Sequence, residues 1–164
     1  MLSKSEYEIA RNLAIDYFNK AGIVLTEEEK ENIEIADFGL NELYKTGLQI
    51  VTYINTERVC AKEMVLFPGQ MCPEHTHPVV GDYQGKEETF RCRYGDVVLD
   101  IEENGERKKI HLHPGDQFTL YPNTPHSFQA GRFGAVVSEF STKSMDESDI
   151  FTNKNIKRAP EVDS

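Results

Sequence analysis

Short runs of β-branched and aromatic residues, separated by turn-forming glycine, proline and asparagine, recur from residue 47 to residue 141. Many short runs at this spacing predict strands joined by tight turns, the pattern of an all-β sandwich or barrel. The candidate strands are Leu48–Ile54, Arg58–Phe67, Glu87–Arg93, Val97–Glu102, Arg107–Leu112, Gln117–Tyr121, Ser127–Gln129 and Ala135–Ser141. The turn signals between them are Pro68-Gly69, Tyr94-Gly95-Asp96, Glu103-Asn104-Gly105, Pro114-Gly115-Asp116 and Gly131–Gly134. We therefore expect a mainly β domain.

The chain before this β-rich region is predicted to be helical. Apolar residues recur at helical spacing over Ile9–Phe18, and an acidic capping-box pattern begins a second short helix at Thr26. After the last candidate strand, a polar stretch predicts a tail that packs on the barrel or crosses to a partner subunit. The expected organisation is a helical extension at residues 1–46, a β-barrel at residues 47–142 and a C-terminal tail at residues 143–164.

Charge and cysteine content narrow the range of partners. The chain has 28 acidic and 18 basic side chains, a net charge of −10 that repels the phosphates of nucleic acid and of anionic membranes. A neutral ligand such as a sugar meets no such repulsion. Three cysteines without a C-x-x-C pair are typical of reduced thiols, and the N-terminus has no apolar run of the signal-peptide type. We therefore expect a cytoplasmic protein that binds neither nucleic acid nor membrane.

The first group of candidate metal ligands centres on two histidines. His75 and His77 are separated by one residue, so their rings project from the same face of an extended chain, as two ligands of one metal require. Gly69-x5-His75-x-His77, followed by Glu88-x6-Gly95, resembles the first motif of the cupin family with a lengthened loop before the glutamate.

A second group of residues completes this resemblance. The spacing from Gly115 to His126 matches the second cupin motif, although Pro125 stands near the position of its usual interior glycine. The resemblance implies a cupin fold, a small jelly-roll barrel preceded here by α-helices, with a divalent metal in its mouth. The implied metal ligands are His75, His77, Glu88 and His126. Three imidazoles and one carboxylate suit a catalytic ion with open coordination positions better than a closed structural site.

Several neighbouring residues offer alternative ligands. Glu87 competes with Glu88, because a one-residue slip would point the other carboxylate inward; the spacing to the motif glycine favours Glu88. His111 and His113 form a second H-x-H pair, but the apolar residues that alternate with them are predicted to face the core, which leaves both histidines in solvent. Cys72 could contribute to a Cys/His zinc site, although no second cysteine lies nearby in sequence.

The local sequence is more specific than the motifs. Four stretches resemble the short D-lyxose isomerase family: Lys62–Phe67, Gln70–Pro78, Gly85–Arg93, and Glu139–Thr142 together with Asp149–Thr152. This resemblance implies a ketol-isomerase acting on free D-lyxose and D-xylulose, and on D-mannose and D-fructose. It implies Mn²⁺ as the metal, while Co²⁺, Fe²⁺, Ni²⁺ and Zn²⁺ would fit the same donors. Because cupin barrels with a helical extension commonly pair, we also expect a homodimer.

Two side chains outside the ligand set suit the implied chemistry. Lys62 alternates with apolar residues of its candidate strand, which places it on the inward face, where a lysine is unusual unless it reaches a wet pocket. Glu139 ends an otherwise apolar or small run, surroundings that suit a general base. By resemblance, we assign Glu139 to proton transfer through a cis-enediol intermediate and Lys62 to binding a sugar oxygen.

Two other functional classes share these features. A cupin dioxygenase could use the same three histidines and glutamate with iron or nickel, and it would consume oxygen. A sugar-binding cupin could use the metal only to anchor its ligand, and it would bind pentoses without turnover. A dioxygenase gives the Lys62 and Glu139 pair no clear role, and the local resemblance favours the isomerase over both alternatives, so we expect an enzyme of the isomerase class.

Overall fold

Two antiparallel strands of 16 residues each form the centre of the protein. These strands, β5 (Glu88–Glu103) and β8 (His126–Ser141), pair along nearly their whole length. The other edge of β8 pairs with two further strands, one near each of its ends, so the sheet curls around an apolar interior. The computed structural model describes residues 2–158.

The remaining elements surround this central pair. The helices are α1 (Lys4–Lys20), α2 (Glu27–Glu31) and a short 3-10 turn at Asp146–Ser148. The other strands are β1 (Glu34–Ala36), β2 (Leu48–Asn55), β3 (Cys60–Leu66), β4 (Met71–Thr76), β6 (Glu106–Leu112), β7 (Gln117–Leu120) and β9 (Ile150–Phe151). Their order is β1-β2-β3-β8-β4-β9, while β5 pairs with β6, β7 and β8. The predicted mainly β fold with helices at its N-terminus is confirmed.

Two predicted turns are instead bends within long strands. The strand β5 runs through Gly95, where the pairing register with β8 shifts. Gly95 has φ +69°, and a Cβ atom there would collide with the carbonyl of Gly134. Positive-φ glycines at such bulges curve a strand without reversing it. The four candidate strands that flank these turns therefore form two long strands, β5 and β8. These two bent strands close the barrel.

Besides the two-residue β9, the strands β4 and β1 escaped the sequence analysis. The strand β4 contains Pro73 and several polar residues, and its apolar residues do not alternate regularly enough to stand out. The strand β1 lies within the expected helical extension and pairs with β2 through Ile35. Both depend on contacts with partners distant in sequence, which local patterns do not report.

Helix α1 covers the outer face of the sheet. Ala10, Ala14 and Phe18 are fully buried against apolar residues of β3 and β8. Full burial of a side chain such as that of Phe18 contributes roughly 2–3 kcal/mol. Ile9 and Leu13 share the helical repeat but are 55% and 38% exposed. Within residues 2–158, no helix is long and apolar enough to cross a membrane.

Candidate metal centre and active site

Three buried imidazoles meet at one end of the barrel. His75 lies in β4, His77 follows that strand directly, and His126 begins β8. Pairing of β4 with β8 places His75 opposite His126, and the alternation along β4 turns His77 to the same side. One ring nitrogen of each histidine lies within 4.8 Å of the other two. The structure thus brings together the three histidines that the motifs indicated.

Hydrogen bonds orient two of these rings. Nδ1 of His75 lies 2.8 Å from the carbonyl oxygen of Pro73, and Nδ1 of His126 lies 2.8 Å from that of Thr124. Because a carbonyl oxygen only accepts, each Nδ1 carries the hydrogen and donates it. In the neutral form of each ring, Nε2 then keeps the lone pair through which imidazole binds a metal.

Glu88 adds a carboxylate to the three imidazoles. It is the first residue of β5 and is 1% exposed, whereas the competing Glu87 is exposed. Its Oε1 lies 2.8 Å from Nε2 of His126, without the alignment of a hydrogen bond, and accepts a hydrogen bond of 3.3 Å from Nε2 of His77. Glu88 thus places its Oε1 beside two of the three imidazoles, those of His126 and His77.

The chemistry of this donor set fits a divalent cation. Burial and the neighbouring imidazoles hold the pKa of His75 well below its usual range. Burial alone would lower the pKa of His77, but the charge of Glu88 and the hydrogen bond to Asp149 raise it to about 9. A cation that binds here therefore displaces a proton from His77 Nε2. Nε2 of His126 is buried without a hydrogen-bond partner, although it lies 2.8 Å from Oε1 of Glu88. A metal ion bound by both atoms would satisfy them.

A buried lysine that sequence reasoning missed lies beside the cluster. Lys86 is 3% exposed, and its Nζ lies 3.0 Å from Oε2 of Glu88 and 2.9 Å from Oε2 of Glu139. The residue before it, Gly85, has φ +88°, and a Cβ atom there would lie 2.9 Å from the Cβ of Pro122. The close packing of the loop at this position therefore requires glycine. Spacing could have revealed Lys86, because it lies two residues before Glu88 and so shares its face.

The charge of Lys86 is held by these two carboxylates. Burial alone would lower the pKa of Lys86, but Glu139 and Glu88 outweigh it and raise that pKa well above its ordinary value. The ammonium group therefore stays protonated at neutral pH. It links the carboxylate of the histidine cluster to the candidate base.

We expect Lys86→Met to lower the free energy of unfolding by about 3 kcal/mol, because it leaves two buried carboxylates without their counter-charge. Urea unfolding in the presence of a chelator measures this change without a contribution from bound metal. Lys109→Met, at an exposed lysine of β6, is the matched control and should stay within about 0.5 kcal/mol of the unsubstituted protein. An equally small change for Lys86→Met would contradict the assigned ion pairs.

The two predicted catalytic residues lie side by side in the sheet. Lys62 of β3 pairs in register with Glu139 of β8, and both are 5% exposed. The Nζ of Lys62 donates to Ser144 (3.0 Å) and to Asp146 (3.1 Å to Oδ2) instead of contacting Glu139. Lys86, not Lys62, is therefore the cation in contact with the candidate base.

The cavity beside the cluster is closed on one side by the C-terminal segment (residues 142–158). This segment supplies Asp146, Asp149, Phe151 and Arg158 to the cavity wall. Its strand β9 pairs with β4. The cavity is partly open to solvent and has a volume of about 30 Å³.

The other candidate ligands lie elsewhere or are poor donors. His111 and His113 are exposed on and after β6, as their alternation predicted, and lie outside the cavity. Cys72 lines the cavity as a free thiol, but burial raises its pKa far above the ordinary value. A thiol that stays protonated is a weak metal ligand.

Comparison with known proteins gives a consistent result. The sequence profile of the D-lyxose isomerase family matches residues 84–164. A D-lyxose/D-mannose isomerase of Thermosediminibacter oceani is 52% identical, with 99% of each chain covered. A D-lyxose ketol-isomerase of Cohnella laeviribosi is 48% identical, with 97% of each chain covered.

Solved structures extend the comparison to the fold. An L-ribose isomerase of Acinetobacter sp. DL28, solved with L-ribose, superposes with a TM-score of 0.79 at 15% identity and covers 94% of each chain. At this low identity the likeness shows the fold alone, and it supports the cupin barrel that the motifs predicted. The identity of about one half over nearly the whole length shows the family. This chain belongs to the D-lyxose isomerase family.

Proposed function

We propose that this protein is a metal-dependent aldose–ketose isomerase that interconverts D-lyxose with D-xylulose and D-mannose with D-fructose. The observation that carries the proposal is the buried cluster of three imidazoles with Glu88 beside them, in which Lys86 joins Glu88 to Glu139. The names of its relatives, D-lyxose/D-mannose isomerase and D-lyxose ketol-isomerase, support the substrates.

The proposed metal ligands are His75, His77, Glu88 and His126. When bound, a divalent ion supplies positive charge that polarises oxygen atoms at the reacting end of the sugar. The family similarity favours Mn²⁺, and a mixed imidazole and carboxylate set also accepts Co²⁺, Fe²⁺, Ni²⁺ or Zn²⁺.

Aldose–ketose isomerisation moves one hydrogen from C2 to C1 and one proton from O2 to O1, and the chain offers a base for the transfer between the carbons. We assign Glu139 the transfer: its carboxylate removes the proton from C2 of the aldose and returns it to C1, by way of a cis-enediol. Glu139 lies on the strand between β3 and β5 and lines the same cavity as His75 and His77.

Two ammonium groups line the same cavity and can hold sugar oxygens. Lys86 contacts Glu139 directly, so it compensates the charge of the base and can donate to an oxygen that becomes negative during the transfer. We assign Lys62, which lies beside Asp146, the role of a donor to a sugar hydroxyl.

We also propose that two chains pair and that the protein works in the cytoplasm on free monosaccharides.

Incubating the metal-loaded protein with D-lyxose and assaying D-xylulose tests the proposal directly. We expect D-xylulose to form and its formation to stop when a chelator removes the metal. Binding of D-lyxose without D-xylulose would indicate a sugar-binding cupin instead. Oxygen uptake with metal-loaded protein would indicate a dioxygenase.

The sugar stereochemistry gives a further expected result. D-Lyxose and D-mannose share their configuration at C2, C3 and C4 and differ by one hydroxymethyl unit at the far end. A site that reads the reacting end should turn over both, since such a unit changes discrimination by only about 1–3 kcal/mol. Parallel assays with D-lyxose, D-mannose and D-xylose, the C2 epimer of D-lyxose, measure this. Strong turnover of D-xylose with none of D-lyxose would contradict the assignment.

A further inference from the structure

The three imidazoles of the cluster are held in two different ways. His75 and His126 each donate from Nδ1 to a carbonyl only two residues earlier, so the neighbouring backbone fixes each ring. The Nδ1 of His77 instead lies 2.6 Å from Oδ1 of Asp149, a residue 72 positions away on the C-terminal segment. The orientation of His77 therefore depends on a part of the chain outside the barrel strands.

The bond between His77 and Asp149 is a strong one. Both side chains are less than a tenth exposed, at 8% and 6%, so water competes poorly for either group. A short bond from an imidazole to a buried carboxylate is charge-assisted and roughly twice as strong as a neutral one. Asp149 accordingly restricts rotation of the His77 ring and keeps its Nε2 on the side of Glu88.

The position of Asp149 is set by docking of the C-terminal segment. Directly after Asp149, β9 pairs with β4, which places Phe151 opposite His75. Three residues before it, Asp146 is tied to Lys62 of the barrel and to Arg158. Asp149 is thus held between two anchored points, and its carboxylate has little freedom to leave His77.

We propose that Asp149 is a positioning residue of the metal centre, which acts through His77 and makes the docked C-terminal segment part of cation binding. The inference rests on the proposed function, because it takes the imidazole cluster as the metal site. Outer partners of metal-bound histidines fix the ring orientation, and their loss typically costs about 10–100-fold in metal affinity. The same range is expected for loss of the Asp149 carboxylate.

Co²⁺ titration of the chelator-treated full-length protein tests this inference. Asp149→Ala is expected to weaken Co²⁺ affinity by about 10–100-fold, measured by competition with a chromophoric chelator, and to alter the visible spectrum of bound Co²⁺. Asp149→Asn keeps an oxygen that accepts from Nδ1 and should recover most of the affinity. Glu147→Gln, an exposed position on the same segment, is the matched control and should bind as tightly as the unsubstituted protein.

Three outcomes would overturn the inference. Affinity of Asp149→Ala within about twofold of the unsubstituted protein would remove the positioning role. Affinity of Asp149→Asn as low as that of Asp149→Ala would assign the effect to charge and not to the hydrogen bond. Failure of the unsubstituted protein to bind Co²⁺ would overturn the proposed function as well, whereas tight binding unaffected by Asp149→Ala would overturn this inference alone.

Discussion

Alanine in place of any one of the four proposed metal ligands is expected to abolish stoichiometric metal binding and, with it, turnover. The four variants are His75→Ala, His77→Ala, Glu88→Ala and His126→Ala. Each removes one donor group of the buried cluster formed by the three imidazoles and Glu88. The remaining three groups cannot fill the coordination sphere to the same degree, and a catalytic ion needs protein ligands as well as open positions.

Elemental analysis of the purified variants, combined with the D-lyxose assay, measures this expectation. We expect each variant to fold, because the ligands lie at one end of the barrel and contribute little to its apolar interior. Circular dichroism checks that the barrel has folded. His111→Ala, at the exposed H-x-H pair, is the matched control and should keep full metal content and activity. A variant that retains one ion per chain and full turnover would remove its residue from the ligand set.

Much of the barrel could be predicted because its information is local. Runs such as Leu48–Asn55 have bounds within one residue of the prediction, since β-branched residues and flanking turn signals mark them in the sequence. Spacing similarly indicated the histidine cluster, because one intervening residue puts both His75 and His77 on the same face of a strand. Glu88 followed from its distance to a glycine, and the structure gives it the inward position.

The features that were missed depend on long-range contacts. The turn signals at Gly95 and Gly134 mark bulges, because a positive φ bends a paired strand as readily as it ends one. The two-residue spacing puts Lys86 on the face of Glu88, but its second partner, Glu139, comes from another strand and is not visible in the local sequence. No local pattern reports that Asp149 meets His77.

Turnover of Glu139→Gln is expected to fall at least ~10²-fold while its metal content stays unchanged, the lower limit for loss of a positioned general base. Glutamine matches glutamate in shape, and its amide oxygen can still accept from Lys86, so packing is preserved. Glu63→Gln provides a matched control. Glu63 is likewise buried, but it lies in β3 and accepts a hydrogen bond from Ser138 on the face opposite to the cavity. Near-normal turnover of Glu139→Gln would dismiss Glu139 as the base.

The fate of the transferred hydrogen separates two routes for the same reaction. An enediol route needs a base beside C2 and a cation near the developing oxyanion, and the cavity offers Glu139 for the first and Lys86 for the second. A hydride shift needs no protein base at carbon. We therefore expect the reaction in D₂O to place deuterium at the transferred position, detected by NMR of the product, because a carboxyl proton exchanges with solvent. Since a well-shielded base could return the original proton, the two measurements are read together: full retention of substrate hydrogen, combined with undiminished turnover in Glu139→Gln, would establish a hydride shift instead.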